Sequence, residues 1–235
     1  MPTACNIIMP VKDSLPTAER AIRAIISSGH TLTVYNDYST PQTTEQLTTL
    51  STQLGFQLVN IAEYTDHSSP NYLFTLIHAQ NTALKQNEHL LIVESDVIIG
   101  SNTIDKLVTE AGHTAKTGMV AAITTDEQGD INFPYLYAKK YKKGTIETKK
   151  RLSFCCTLIT NNFLHTYSFS QLNPDKNWYD VFISHKSIEL GFHNYLLTDT
   201  PVLHLPHSSR PWKQLKYTNP LLYYWRKITR QLDRI

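Results

Sequence analysis

Cysteine is scarce in this chain, with three residues among 235, Cys5 and the adjacent Cys155-Cys156. They make neither a CxxC pair nor an even set, which excludes a disulfide framework, fits a reducing compartment and leaves the thiols as packing residues. Glycine is also sparse, at eight residues. No GxGxxG follows a predicted strand, and neither GxxxxGK(S/T) nor GxSxG occurs. Dinucleotide-binding, P-loop and α/β-hydrolase chemistry are therefore disfavoured. Long apolar runs are missing too. Near the N-terminus only Ile7-Ile8-Met9 is continuously apolar, too short for a signal-peptide core or a membrane span, so a cytoplasmic protein is expected. The chain has no internal repeat and no low-complexity tract, and its eleven prolines are scattered.

What is present is enough for one large core. With 41% apolar residues and no linker composition, a single globular domain over 1–210 is expected, followed by a basic amphipathic extension over 211–235. The net charge of +2 conceals an asymmetry. Lys139 to Arg151 carries seven basic residues against Glu147, and Arg210 to Arg234 carries seven against Asp233. The remainder then holds 8 basic and 18 acidic residues, an acidic body with two basic surfaces that suit an anionic partner.

Apolar periodicity and punctuation predict a strand over Asn6–Val11 and a helix over Thr17–Ser28 with Ala21, Ile22, Ile25 and Ile26 on one face. A strand over Thr31–Asn36, a helix over Thr43–Leu54, a strand over Gln57–Ile61 and a helix over Tyr72–Gln86 follow. This alternation is the βαβ pattern of a mostly parallel sheet. The next strand, Leu90-Leu91-Ile92-Val93, runs into Glu94-Ser95-Asp96. If the strand continues, Glu94 and Asp96 point the same way and offer hard oxygen ligands to one Mg2+ or Mn2+. If it ends at Val93, the acids form a solvated turn that caps a helix beginning near Asn102. Ligands of open α/β sheets bind beyond the carboxyl ends of the strands, which collects Pro10-Val11-Lys12, Asp37 and Glu94-Ser95-Asp96 on one rim.

These residues, in this order, resemble the GT-A fold glycosyltransferases of family 2. Ile7-Ile8-Met9-Pro10-Val11-Lys12 is similar to that family's opening strand and turn. Val34-Tyr35-Asn36-Asp37-Tyr38-Ser39-Thr40 resembles its Val-Asp-Asp-Gly-Ser-Thr strand end, and Ala79-Gln80-Asn81-Thr82-Ala83-Leu84 its Ala-Arg-Asn-x-Gly helix. Glu94-Ser95-Asp96 falls where the family has its DxD. Tyr179-Asp180-Val181-Phe182 with Gly191-Phe192 keeps the spacing of its Glu-Asp-x-Asp segment, and Val202-Leu203-His204 resembles the strand ending in a metal-binding His. The departures are Asn36 for an acid, Tyr38 for a glycine, Glu94 for aspartate, Tyr179 for glutamate and Phe182 for aspartate.

The resemblance implies a GT-A fold, a mixed and mostly parallel sheet flanked by helices. It also implies an inverting transfer of a sugar from a nucleoside diphosphate donor to a hydroxyl of a glycan or lipid-linked acceptor, in cell-surface glycan or polysaccharide synthesis. Asp96 and His204 would hold Mn2+ or Mg2+, with help from Glu94; His207 is the alternative to His204. Pro10, Val11, Asp37, Asn81, Glu94, Ser95 and Asp96 would line the nucleotide-sugar site, and Asp180 would be the base that takes the acceptor proton. Read alone, Asp37 is a turn residue and Asp180 a helix N-cap. Trp178, beside Asp180, is either a stacking platform for the acceptor or a core anchor.

Asn219 to Ile235 can be written as a helix with Leu221, Trp225, Ile228 and Leu232 opposite Arg226, Lys227, Arg230 and Arg234. Such a helix either lies on an anionic membrane surface, the inner face of the cytoplasmic membrane, or packs its apolar stripe on the domain. Lys139 to Arg151, with Gly144 at a hairpin tip, reads as an acceptor-side loop. A nucleotidyltransferase would carry a Gly-rich loop where Pro10-Val11-Lys12-Asp13-Ser14 stands. No recognised reader motif accompanies the basic segments, so nucleic acid is not an expected partner. A non-catalytic sugar-nucleotide or glycan-binding protein of the same fold is the alternative to the enzyme.

Overall fold

The computed structural model describes residues 4–176, 178–205 and 219–229. The boundary expected at 210, and His207, lie outside them. The first third alternates as the sequence predicts: β1 (Cys5–Val11), α1 (Leu15–Ser27), β2 (Leu32–Asn36), α2 (Pro41–Leu54), β3 (Gln57–Asn60), α3 (Tyr72–Gln86) and β4 (His89–Val93). Two helix starts lie upstream of the predicted ones. Pro16 and Pro41 occupy first-turn positions, where a missing N–H costs nothing, and Thr40 accepts from the Thr43 N–H as the α2 cap. On α1, Ala18 joins Ala21, Ile22 and Ile25 in the buried face, while Ile26 is half-buried.

The second part adds β5 (Val97–Ile98), α4 (Thr103–Ala111), β6 (Thr117–Thr125), β7 (Thr145–Glu147), β8 (Cys156–Ile159), α5 (Asn161–Thr166), α6 (Tyr179–Glu189), β9 (His193–His204) and α7 (Pro220–Thr229). The sheet order is β3-β2-β1-β4-β8-β6-β9-β5, with β7 on β9. Its β3-β2-β1-β4 half is parallel. In the other half β8 runs antiparallel to β4 and β6, β9 is parallel to β6, and β5 and β7 are antiparallel to β9. The sheet is therefore mixed. Gly144 does not turn a self-contained hairpin; it leads into β7 and exchanges hydrogen bonds with Thr198.

Burial on both faces explains the continuous apolar strands. Leu91 and Val93 enter the core beneath α1 and α4, while Leu90 and Ile92 enter the one beneath α3, α5 and α6. Along β9 the register slips between Leu197 and Pro201, so Thr198 to Thr200 bulge out. A bulge bends its strand and suits a proline, which has no N–H to give the ladder. Val202 to His204 continue beyond it, and Leu203 and His204 pair with β5. On α7, Leu221, Trp225 and Ile228 are exposed. No helix among the described residues is long and apolar enough to cross a membrane.

Candidate functional site

Three strand ends meet at one rim. β4 stops at Val93, and Glu94-Ser95-Asp96 is a turn closed by the Val97 N–H donating to the Glu94 carbonyl at 3.0 Å. This corrects the reading in which the two acids alternate along a continuing strand. The turn leads into β5 and caps no helix; α4 begins at Thr103. β5 lays Val97 opposite His204 at the end of β9. β8 lays Cys156 opposite Val93, and the Glu94 N–H donates to the Cys155 carbonyl at 3.0 Å. Backbone pairing alone thus delivers Glu94, Asp96, Cys155 and His204 to one place.

Their side chains face one another. The Cys155 thiol donates to Glu94 Oε2 at 3.4 Å and lies 4.0 Å from His204 Nε2, which is 3.7 Å from Asp96 Oδ2. Ligand atoms of Glu94, Cys155 and His204 all lie within 4.8 Å of one another. His204 Nδ1 is 2.8 Å from the Phe133 carbonyl, which can only accept, so Nδ1 carries the proton. In the neutral ring Nε2 then presents its lone pair to the acids and the thiol, as in a metal-ligating histidine oriented by a backbone carbonyl. The residues therefore fit a divalent cation. Burial pushes the Cys155 thiol well above its ordinary value, and the Glu94 carboxylate raises it further.

A second cluster adjoins this one through Phe133, whose ring lies 5.7 Å from the Arg151 guanidinium. Arg151 pairs with Asp180 at 3.2 Å and stacks over Trp178 at 5.9 Å. Asp180 sits inside the first turn of α6, and Trp178 occupies the N-cap position. This corrects the N-cap reading of Asp180. There the carboxylate accepts from the Val181 N–H at 2.9 Å and complements the positive end of the helix. Trp178 is half-buried.

The third group closes the rim at β1 and β2. Pro10 and Val11 lie beyond the last rung that β1 shares with β4 and pair only with β2. The Val11 carbonyl accepts from the Asp37 N–H at 2.9 Å. Asp37 is engaged by its own chain: Oδ2 accepts from Ser69 Oγ at 2.7 Å and the Asn71 N–H at 3.0 Å, and Oδ1 from Asn71 Nδ2 at 2.8 Å. Tyr38, where the resembling family has glycine, has a left-handed φ of 56°, and its hydroxyl donates to the Thr65 carbonyl. Asn36 is buried and holds Thr44 and Asn60. The Ser14 and Ser95 hydroxyls, 3.0 Å apart, tie this group to the Glu94–Asp96 turn.

Asn81 does not join the others. It is exposed on α3, ten residues beyond Asn71, or roughly 15 Å along the helix. Its neighbour Gln80 points inward instead and binds backbone of Leu164 in α5 and of Tyr167 and Phe169 just after it. Cys155, Arg151 and Phe133 are the site residues that sequence reasoning missed. Cys155 read as packing, and Arg151 as one of a run of cations.

No family model matches the sequence, and no curated protein sequence does. A solved structure does: the crystal structure of GalNAc-T7 with UDP, GalNAc and Mn2+ matches with a TM-score of 0.63 at 11% identity, over 88% of this chain and 44% of that one. This chain thus spans less than half of that neighbour's length. At such identity the likeness concerns the fold alone. The mixed sheet flanked by helices, with three strand ends converging on one rim, is the GT-A fold of glycosyltransferases.

Proposed function

We propose that the chain is a metal-dependent glycosyltransferase that moves a sugar, with inversion, from a nucleoside diphosphate donor to an acceptor hydroxyl. The convergence of Glu94, Asp96 and His204 beside the Arg151–Asp180 pair carries this reading. Departure of the diphosphate develops negative charge, and a bound divalent cation, Mn2+ or Mg2+, supplies the Lewis acid that neutralises it. Asp96 and His204 would hold that cation, with Glu94 beside them. Pro10, Val11, Asp37 and Ser95 frame the donor side, and Asn81 takes no part. Asp180 accepts the acceptor's hydroxyl proton as the oxygen attacks the anomeric carbon opposite the leaving group. Arg151 positions that carboxylate, and the Trp178 ring offers a face to the acceptor sugar.

The order of motifs supports placement near family 2 and a role in cell-surface glycan or polysaccharide synthesis. The exposed stripe of α7, in a basic stretch of sequence, supports an acceptor met at the anionic inner face of the cytoplasmic membrane. A second reading, a non-catalytic sugar-nucleotide or glycan binder, is favoured by one observation: Asp37 and Asp180 are both engaged by their own chain. A thermal-shift screen of nucleoside diphosphates and their sugars, with and without Mn2+, tests the donor site on the native protein and on Asp96→Ala. The expected result is a metal-dependent shift for one nucleotide that vanishes in the variant. Turnover of that donor, lost about 100-fold or more in Asp180→Asn, supports the enzyme. Binding without turnover supports the second reading, and no shift for any nucleotide refutes the enzyme and leaves only a glycan binder.

A further inference from the structure

The three cysteines occupy different surroundings. Cys5 and Cys156 lie in apolar core, where burial pushes both thiols up to about 12. Cys155 belongs to the same core but alone turns its sulfur toward polar atoms at the rim: Ser153 Oγ at 3.4 Å, Glu94 Oε2 at 3.4 Å and His204 Nε2 at 4.0 Å. A thiol that only fills space needs none of these. From the structure we infer that Cys155 is itself a metal ligand, completing a Glu94–Cys155–His204 donor set, with Asp96 beside His204, that shifts the site's preference toward thiophilic Zn2+ or Co2+ and away from Mg2+. This rests on the reading of the rim as a divalent-cation site, and it identifies the cation class.

Distance is the first argument. Bonds of about 2.3 Å to sulfur and about 2.0–2.2 Å to nitrogen and oxygen place tetrahedral ligand atoms roughly 3.4–3.6 Å apart. The observed separations are 3.4 Å for Sγ to Glu94 Oε2, 4.0 Å for Sγ to His204 Nε2 and 3.7 Å for Nε2 to Asp96 Oδ2. The 3.7 Å gap is too wide for a hydrogen bond but close to the edge of a coordination tetrahedron. Orientation is the second argument, because the Phe133 carbonyl fixes the proton on Nδ1 and turns the Nε2 lone pair toward the sulfur. Chemistry is the third. Mg2+ takes oxygen ligands and keeps its waters, whereas one thiolate, one imidazole and one carboxylate with a fourth position open suit Zn2+ or Co2+. On binding, the metal–sulfur bond replaces the S–H bond, and one proton leaves to solvent.

Cobalt substitution tests this on the whole protein without reference to activity. Co2+ should give visible d–d absorption together with a near-ultraviolet thiolate-to-cobalt charge-transfer band. Cys155→Ser should keep the d–d absorption, lose the band, and weaken Zn2+ binding at least about 10-fold while leaving Mg2+ binding unchanged. Cys5→Ser and Cys156→Ser should keep the band, which assigns it to Cys155 even if Cys155→Ser fails to fold. Cobalt d–d absorption without a charge-transfer band in the native protein overturns the ligand role of Cys155 and leaves the divalent-cation reading standing. Mn2+ or Mg2+ binding without Co2+ or Zn2+ binding overturns the inference alone, and absence of any divalent-cation binding overturns both.

Discussion

Gly118, near the start of β6, leaves no room for a side chain beneath Ser187 of α6, and adding one methyl group there tests how tightly that helix is held. A Cβ at Gly118 would stand 2.0 Å from Ser187 Oγ, 2.8 Å from Phe192 Cβ and 3.1 Å from Asn194 Oδ1. Ser187 must rotate away, which breaks its 2.8 Å hydrogen bond to Asn194 Oδ1, and both residues are fully buried. Leaving a buried acceptor unpaired costs about 1–3 kcal/mol. Forcing Phe192 back adds about 1–3 kcal/mol of overpacking. Reduced freedom of the unfolded chain returns about 0.4–1 kcal/mol, because Gly118 has no left-handed φ to strain. The net loss for Gly118→Ala centres on about 3 kcal/mol, and at roughly 2–4 °C per kcal/mol for a chain of this size Tm falls by about 6–12 °C. Since α6 begins at Tyr179 and carries Asp180 in its first turn, an outward shift of the helix also loosens the Arg151–Asp180 pair. Scanning calorimetry reads the stability, and the double variant Gly118→Ala/Ser187→Ala should recover part of the loss by removing the nearest atom. A Tm within 1 °C of the native protein would refute this account of the β6–α6 contact.

Gln80 offers a second stability test, because its buried amide donates to the Leu164 and Tyr167 carbonyls and accepts from the Phe169 N–H. Gln80→Ala leaves three backbone groups without that partner and is expected to cost about 3–5 kcal/mol, read as a lower urea midpoint at unchanged m. Gln80→Glu should also destabilise, since a carboxylate cannot donate to the two carbonyls; a midpoint equal to the native one counts against the bracket. The third test is pH. Burial holds the Cys5 thiol protonated up to about 12. Its contribution is complete below the unfolded thiol value of about 8.5 and declines by about 1.4 kcal/mol per pH unit as pH rises toward the folded value. The urea-stability gap between native protein and Cys5→Ala should therefore close between pH 9 and 10.5, and a pH-independent gap contradicts it.

The parallel half of the fold is legible because each unit carries local marks. A strand ends at Asn36, Thr40 caps, Pro41 starts the next helix and Gly55, at φ 76°, ends it. Those marks depend only on neighbours in sequence. The antiparallel half has no such marks. Cys-Thr-Leu-Ile is a short apolar run that suits any buried element, and nothing within it says that it will enter between β4 and β6. Likewise no local mark announces Thr198 to Thr200, which the structure uses as a bulge inside one long strand.

The same division runs through the site. Acid, small residue, acid at a strand end and a histidine ending another strand are local patterns, so Glu94, Asp96 and His204 are visible in the sequence. One of the two sequence readings brings Glu94 and Asp96 together by side-chain alternation along a continuing strand, whereas a turn places them and a cross-strand register brings His204 to them. Cys155 shows why no local pattern could have found it. The Val93 to Cys156 rung places Cys155 level with Glu94. Because side chains alternate with a period of two, a register one residue away would offer the neighbouring thiol, Cys156, to Glu94 and His204. The sequence contains both cysteines on equal terms; both are buried in the core, and pairing between the two strands turns only the Cys155 sulfur toward Glu94 and His204.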